Sequence, residues 1–115
     1  MSPEEERALT ALFGEGIREH SEAGLRLITL PAVTLPPGCT PTTPFGIYVA
    51  TPYAGYQSRL YLDAPVRLAS GAIPPTTAAM LLGRTMHAAS IQGIPATLPL
   101  PEAILAHIRR YQLVA

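Results

Sequence analysis

The apolar positions Leu9, Leu12, Phe13 and Ile17 recur at three- and four-residue intervals among glutamates and arginines, the spacing of one face of a helix. Ser2, Pro3, Glu4 and Glu5 supply a start for it. A serine N-cap is followed by proline at the first helical position, a glutamate placed to close a capping box, and acids facing the helix dipole. The pattern predicts a helix over Pro3 to Ser21, weakened in its second half by Gly14 and Gly16 and stopped at Gly24.

From Leu25 to Leu35 the period changes from helical to alternating. The run LRLITLPAVTL is rich in β-branched residues and reads as a strand, with Pro31 forcing a bulge or an edge position. Pro36 to Pro44 (PPGCTPTTP) can form neither helix nor central strand, because its prolines fix φ and remove donors, so an ordered turn is expected. Phe45 to Ala50 (FGIYVA) and Arg59 to Leu62 (RLYL) read as two more strands, joined through the turn residues Pro52, Tyr53, Gly55 and Tyr56. Tyr53 and Tyr56 are expected to fold back over that turn and be substantially buried. Val66 to Ala69 is a possible short fourth strand.

After Pro74-Pro75, Thr76 or Thr77 caps a predicted helix through Ala78, Ala79, Met80, Leu81 and Leu82, interrupted at Gly83. A last helix is predicted from Pro101-Glu102 to about Leu113, with Ile104, Leu105, Ile108 and Tyr111 on one face and Arg109-Arg110 suiting its C-terminal end. The expectation is therefore a single α+β domain over residues 1–115. Its first helix packs on a three- to four-stranded antiparallel meander, followed by a helical C-terminal part. Leu9, Leu12, Phe13 and Ile17 are expected against the sheet face carrying Ile28, Ile47, Val49 and Leu60.

Composition narrows the function classes. A chain of 115 residues with 48% apolar residues, 14% charged and no formal net charge suggests neither disorder nor capture of a polyanion, so nucleic acid is not an expected partner. The charge is uneven: Glu4, Glu5, Glu6, Glu15, Glu19 and Glu22 precede a remainder whose only acids are Asp63 and Glu102. That asymmetry either draws the first segment onto the rest, leaves an acidic helix face for a partner, or makes an ordinary solvated face. All eight basic residues are arginine, which fits both a coding bias and work beside lysine-modifying chemistry. The glutamate-rich start and the lack of any apolar run near the roughly 20 residues needed to span a bilayer predict a protein neither exported nor membrane-embedded. One cysteine, Cys39, rules out an intramolecular disulfide and fits a reducing cytoplasm.

Candidate chemistry is sparse. Cys39 is the only thiol and so the only candidate thioester nucleophile, but it lies in a proline- and glycine-rich turn with no nearby base in sequence; the alternative is a small, partly buried turn residue. His20, His87 and His107 lie in three segments without metal-site spacing, so no metal is expected. His87 is the second candidate catalytic residue, set with Arg84, Thr85 and Ser90 in GRTMHAAS amid apolar neighbours, the alternative being a solvent-facing or satisfied histidine. Paired carboxylates for acid–base work are lacking beyond the first helix. No phosphate loop, dinucleotide fingerprint or nucleophile elbow occurs, and no cofactor is expected.

The stretch from Leu35 to Gly71 carries three turn motifs in order: Pro36-Pro37-Gly38-Cys39-Thr40-Pro41-Thr42, Thr51-Pro52-Tyr53-Ala54-Gly55-Tyr56, and Tyr61-Leu62-Asp63-Ala64-Pro65-Val66-Arg67-Leu68. Together they resemble the central part of bacterial proteins with the ubiquitin-conjugating-enzyme (UBC) fold, in the group called prokaryotic family E. About a third of the chain is covered closely. The resemblance implies a UBC-like fold and a place in a bacterial ubiquitin-like modification pathway. It also implies a degenerate thioester site: the family's thiol follows the meander, near Gly83 to Ser90, where this chain has none, and Cys39 falls where the family usually has an aromatic residue. The implied partners are a ubiquitin-like protein, an adenylating activating enzyme, or both. Two alternatives stay open: a thioester-carrying conjugating enzyme using Cys39 with His87, and a structural adaptor or homo-oligomer unrelated to conjugation.

Overall fold

The computed structural model describes residues 1–50, 58–89, 94 and 97–113. Among these the fold is α+β, with helices at both ends of a six-stranded, wholly antiparallel sheet. The elements are α1 (Pro3–Phe13), β1 (Arg18–Glu22), β2 (Leu25–Leu30), β3 (Gly46–Ala50), β4 (Arg59–Leu62), β5 (Thr76–Leu81), β6 (Arg84–Ala89) and α2 (Leu100–Leu113). Strand order is β1-β2-β3-β4-β6-β5.

The start of α1 is as its sequence dictates: Ser2 accepts from the Glu5 N–H while Glu5 accepts from the Ser2 N–H, a closed capping box. Its end corrects the expectation. Gly14 and Gly16 take positive φ (89° and 87°), so the helix stops at Phe13, and Arg-Glu-His-Ser-Glu turns into the edge strand β1 instead of a further helical turn. Leu9 is fully buried and Phe13 packs on the core, but Leu12 is half exposed and Ile17 reaches the core from the link after the helix.

Strand alternation divides the sheet residues between two cores. Ile28 and Leu30 of β2, Tyr48 of β3 and Leu60 and Leu62 of β4 face the helices, joining Leu9 of α1 and Leu100, Ala103, Ile104, Ile108 and Tyr111 of α2. Leu27, Ile47 and Val49 face the other way, so Ile47 and Val49 do not meet α1 as expected. That second face is covered by the β5–β6 hairpin, through Leu81 and Met86.

The hairpin is the largest departure from expectation. Thr76-Thr77-Ala78-Ala79-Met80-Leu81 is strand, not helix, and its register with β6 is unbroken from Thr76↔Ala89 to Leu81↔Arg84. Every second residue is needed for one face, and Ala79, Leu81 and Met86 pack on the second core. Leu82 and Gly83 both take positive φ (50° and 75°), as do Ala23 and Gly24 between β1 and β2 (52° and 78°), the backbone of two-residue type I′ hairpin loops. The hairpin meets β4 at the single pair Leu62↔His87, and its tip is held by the Leu82 N–H donating to Glu22 Oε2 at 3.1 Å and by the Arg84 guanidinium 4.1 Å from the Phe45 ring centroid.

Other elements follow the sequence more closely. The predicted strand through Leu35 ends at Leu30, just before Pro31; beyond it Val33 and Leu35 donate to the carbonyls of Pro44 and Thr42. Val66 to Ala69 forms no strand, only the bridge Thr40↔Arg67. Tyr53, Tyr56 and Ser90 lie outside the described residues. No described helix is long and apolar enough to cross a membrane.

Candidate functional site

Cys39 sits where two irregular segments are tied together. Thr40 and Arg67 exchange both backbone hydrogen bonds (2.9 and 2.8 Å), Arg67 also donates to the Gly71 carbonyl, and the Cys39 N–H turns back to the Pro36 carbonyl. The approach is close enough to require Gly38: a Cβ there would lie 2.6 Å from the Ala69 Cβ, and its φ of +89° is one that L residues rarely adopt. This turn presses Cys39 inward beside α2. The thiol is 2% exposed and belongs to the helix-side core, so it is inaccessible to a large electrophile in this state.

A cavity of about 310 Å³ adjoins it, lined by Pro36, Pro37, Cys39, Leu68, Ala69, Ser70, Tyr111 and Gln112. Burial pushes the Tyr111 hydroxyl up to about 12, a hydrogen bond with the Ala89 backbone opposing and the Cys39 side chain adding to the rise. Tyr111 is therefore a neutral phenol, suited to hydrogen bonding and not to accepting a proton.

His87 lies on β6, half-buried, opposite Leu62 of β4 and Ala78 of β5. It occupies the sheet, while Cys39 occupies the turn under α2, and no hydrogen bond is found between them among the described residues. The segment Gly83 to Ala89 is a tight turn and a strand.

The histidine most altered by its surroundings is His107, which the sequence did not distinguish. It is 3% exposed on α2, its ring edge-on to Tyr48 at 5.5 Å, and burial lowers its pKa to about 4, with the Arg59 charge acting in the same direction. Its place on the apolar side of α2, one turn from Ile104 and Tyr111, was the available signal.

The acidic segment is partly consumed by the fold. Arg26 of β2 is held between Glu5 of α1 (3.1 Å) and Glu19 of β1 (2.8 Å), and Glu19 also meets the Met1 amine at 2.7 Å. Glu5 lies below the usual carboxylate range because the Ser2 N–H and then Arg26 favour its charged form; Glu19 does so through the Met1 amine and Arg26. Glu4 and Glu6 stay exposed on α1. Among the described residues no three His, Cys, Asp or Glu side chains converge as metal ligands.

Set against protein-family models, curated proteins and solved structures, the chain matches none.

Proposed function

We propose that the protein is an atypical, non-catalytic UBC-like component of a bacterial ubiquitin-like modification pathway, binding a ubiquitin-like protein or its activating enzyme. The observation that carries the non-catalytic half of this reading is the burial of its only thiol, 2% exposed in the proline-braced turn. A thioester carrier needs an accessible, nucleophilic thiol with donors for the oxyanion. The resemblance of Leu35 to Gly71 supports the pathway half, as does a helix followed by consecutive antiparallel strands. Glu4 and Glu6 on the outer side of α1 are the residues that would meet a basic partner surface.

The test is to incubate the protein with ATP, a bacterial activating enzyme and the ubiquitin-like protein which that enzyme adenylates. The expected result is no reductant-sensitive adduct, together with saturable binding of one of the two proteins by titration calorimetry. Cys39→Ser should leave that binding within about twofold, and Glu4→Arg with Glu6→Arg should slow association several-fold, as rim charges do. An adduct that disappears in Cys39→Ser would sink the non-catalytic reading and favour a carrier whose thiol is reached through the adjoining cavity.

A further inference from the structure

The β5–β6 hairpin does not extend the sheet in its own plane. In strand order β6 stands four places from β1 and β5 five, which in a flat sheet would set the Leu82-Gly83 loop about 19–24 Å away from β1. Yet the Leu82 N–H donates to Glu22 Oε2, at the end of β1, over 3.1 Å. The hairpin therefore folds back across the second face, laying Leu81 and Met86 on Leu27, Ile47 and Val49.

The two groups that meet at the loop have few other partners. Leu81 and Arg84 flank the two-residue loop and pair with each other, so the Leu82 N–H has no partner inside the hairpin. Glu22, half-buried, makes no ion pair among the described residues, unlike Glu5 and Glu19, which Arg26 holds. Each completes the other's hydrogen bonding across 60 residues of chain. At the far end of the hairpin the ladder to β4 is the single pair Leu62↔His87.

We propose that the β5–β6 hairpin is a flap over an apolar face and that Glu22 is its catch. Releasing this one hydrogen bond lets the loop end lift about the Leu62↔His87 pair, uncovering Met86 and the side chains of Leu27, Ile47 and Val49 while β1 to β4 stay paired through their continuous registers. Apolar burial supplies most of the hold, and the Arg84–Phe45 contact restrains the same end. What the catch sets is how often the loop end lifts: a hydrogen bond to a charged acceptor shifts such an equilibrium by up to about tenfold.

Two methionines of the hairpin report the motion. Met80 is 64% exposed and Met86 fully buried, so dilute hydrogen peroxide reaches Met80 directly in the native chain and Met86 only as the flap opens. Followed by peptide mass spectrometry, Glu22→Ala should raise the Met86 oxidation rate several-fold, up to about tenfold, and leave Met80 unchanged. Glu22→Gln, which keeps an acceptor oxygen without the charge, should fall between native and Glu22→Ala. Ile104→Val is the control: it weakens the helix-side core by removing one buried methyl group and leaves the flap contacts intact, so global unfolding becomes easier while Met86 oxidation keeps its native rate. A Met86 rate in Glu22→Ala within about twofold of native, or an Ile104→Val chain whose Met86 oxidises as fast as that of Glu22→Ala, would overturn the proposal.

Discussion

His107 shows what burial does to a single titratable side chain. Its ordinary pKa is 6.5 and its folded value is about 4, because the core beside Tyr48 disfavours the imidazolium and Arg59 opposes a second positive charge. Above about pH 6.5 the ring is neutral in both states, and the stability of the neutral, buried form is fully present. Below that the unfolded chain takes up a proton that the folded chain refuses, so stability falls as pH drops from 6.5 to about 4, by on the order of 3 kcal/mol. Denaturant titrations of wild type and His107→Phe at pH 7, 5 and 4 isolate this effect, since the carboxylates contribute equally to both. The difference in stability should shift toward the variant as pH falls; a constant difference would refute the assignment. Gly38 is the second residue whose role is local and strict. Gly38→Ala adds a Cβ at 2.6 Å from Ala69 and keeps a φ of +89°, so a loss of about 2 kcal/mol or more is expected in thermal or chemical unfolding, from backbone strain plus the forced displacement. Cys39 was legible in the sequence as a braced turn residue. The burial of His107 was not, because it depends on Tyr48 and Arg59 arriving from other strands.

At the scale of elements, what the sequence makes legible is what local chemistry determines. The capping box of α1, the strand Arg59–Leu62 and the reach of α2 each follow from residues near one another in the chain. The strand Thr76–Leu81 does not, since alanine, methionine and leucine favour a helix and only a distant sheet face, supplied by Leu27, Ile47 and Val49, rewards period two. β1 was hidden for a related reason: a polar edge strand has little apolar signal, and its partner β2 determines it. Both two-residue loops place a non-glycine residue in the left-handed region ahead of a glycine. Asn-Gly is the preferred pair for such a loop, and Ala23 is exposed, so Ala23→Asn should raise stability by about 0.5–1 kcal/mol, read as an increase in the melting temperature. A lower melting temperature would mean that the β1–β2 loop is not the type I′ turn inferred from its φ values.

At the scale of the whole molecule, the sheet separates two cores of unequal support. The helix-side core draws on α1, α2 and the turn around Cys39, whereas the second is closed by the β5–β6 hairpin alone among the described residues. That hairpin joins β4 through one residue pair and is held at its tip by Glu22 and by the Arg84–Phe45 contact. Its attachment therefore rests mainly on apolar burial, with fully buried Met86 as its deepest side chain in the second core. Few cross-links at the base and a large apolar contact in the middle describe a unit that opens below the free energy of global unfolding. Native-state hydrogen exchange should accordingly show the β6 amides bonded to β5 opening at lower free energy than those of β2 and β3. Met86→Ala, which leaves a cavity between hairpin and sheet, should lower the hairpin's opening free energy by about 2–5 kcal/mol. The same substitution should lower the β2–β3 opening energy by no more than the loss in global stability, whereas Leu9→Ala, on the helix side, should lower the global value and leave the gap between the two units narrower. Equal opening energies for β6 and for β2–β3 in the native chain would show that the two cores unfold as one.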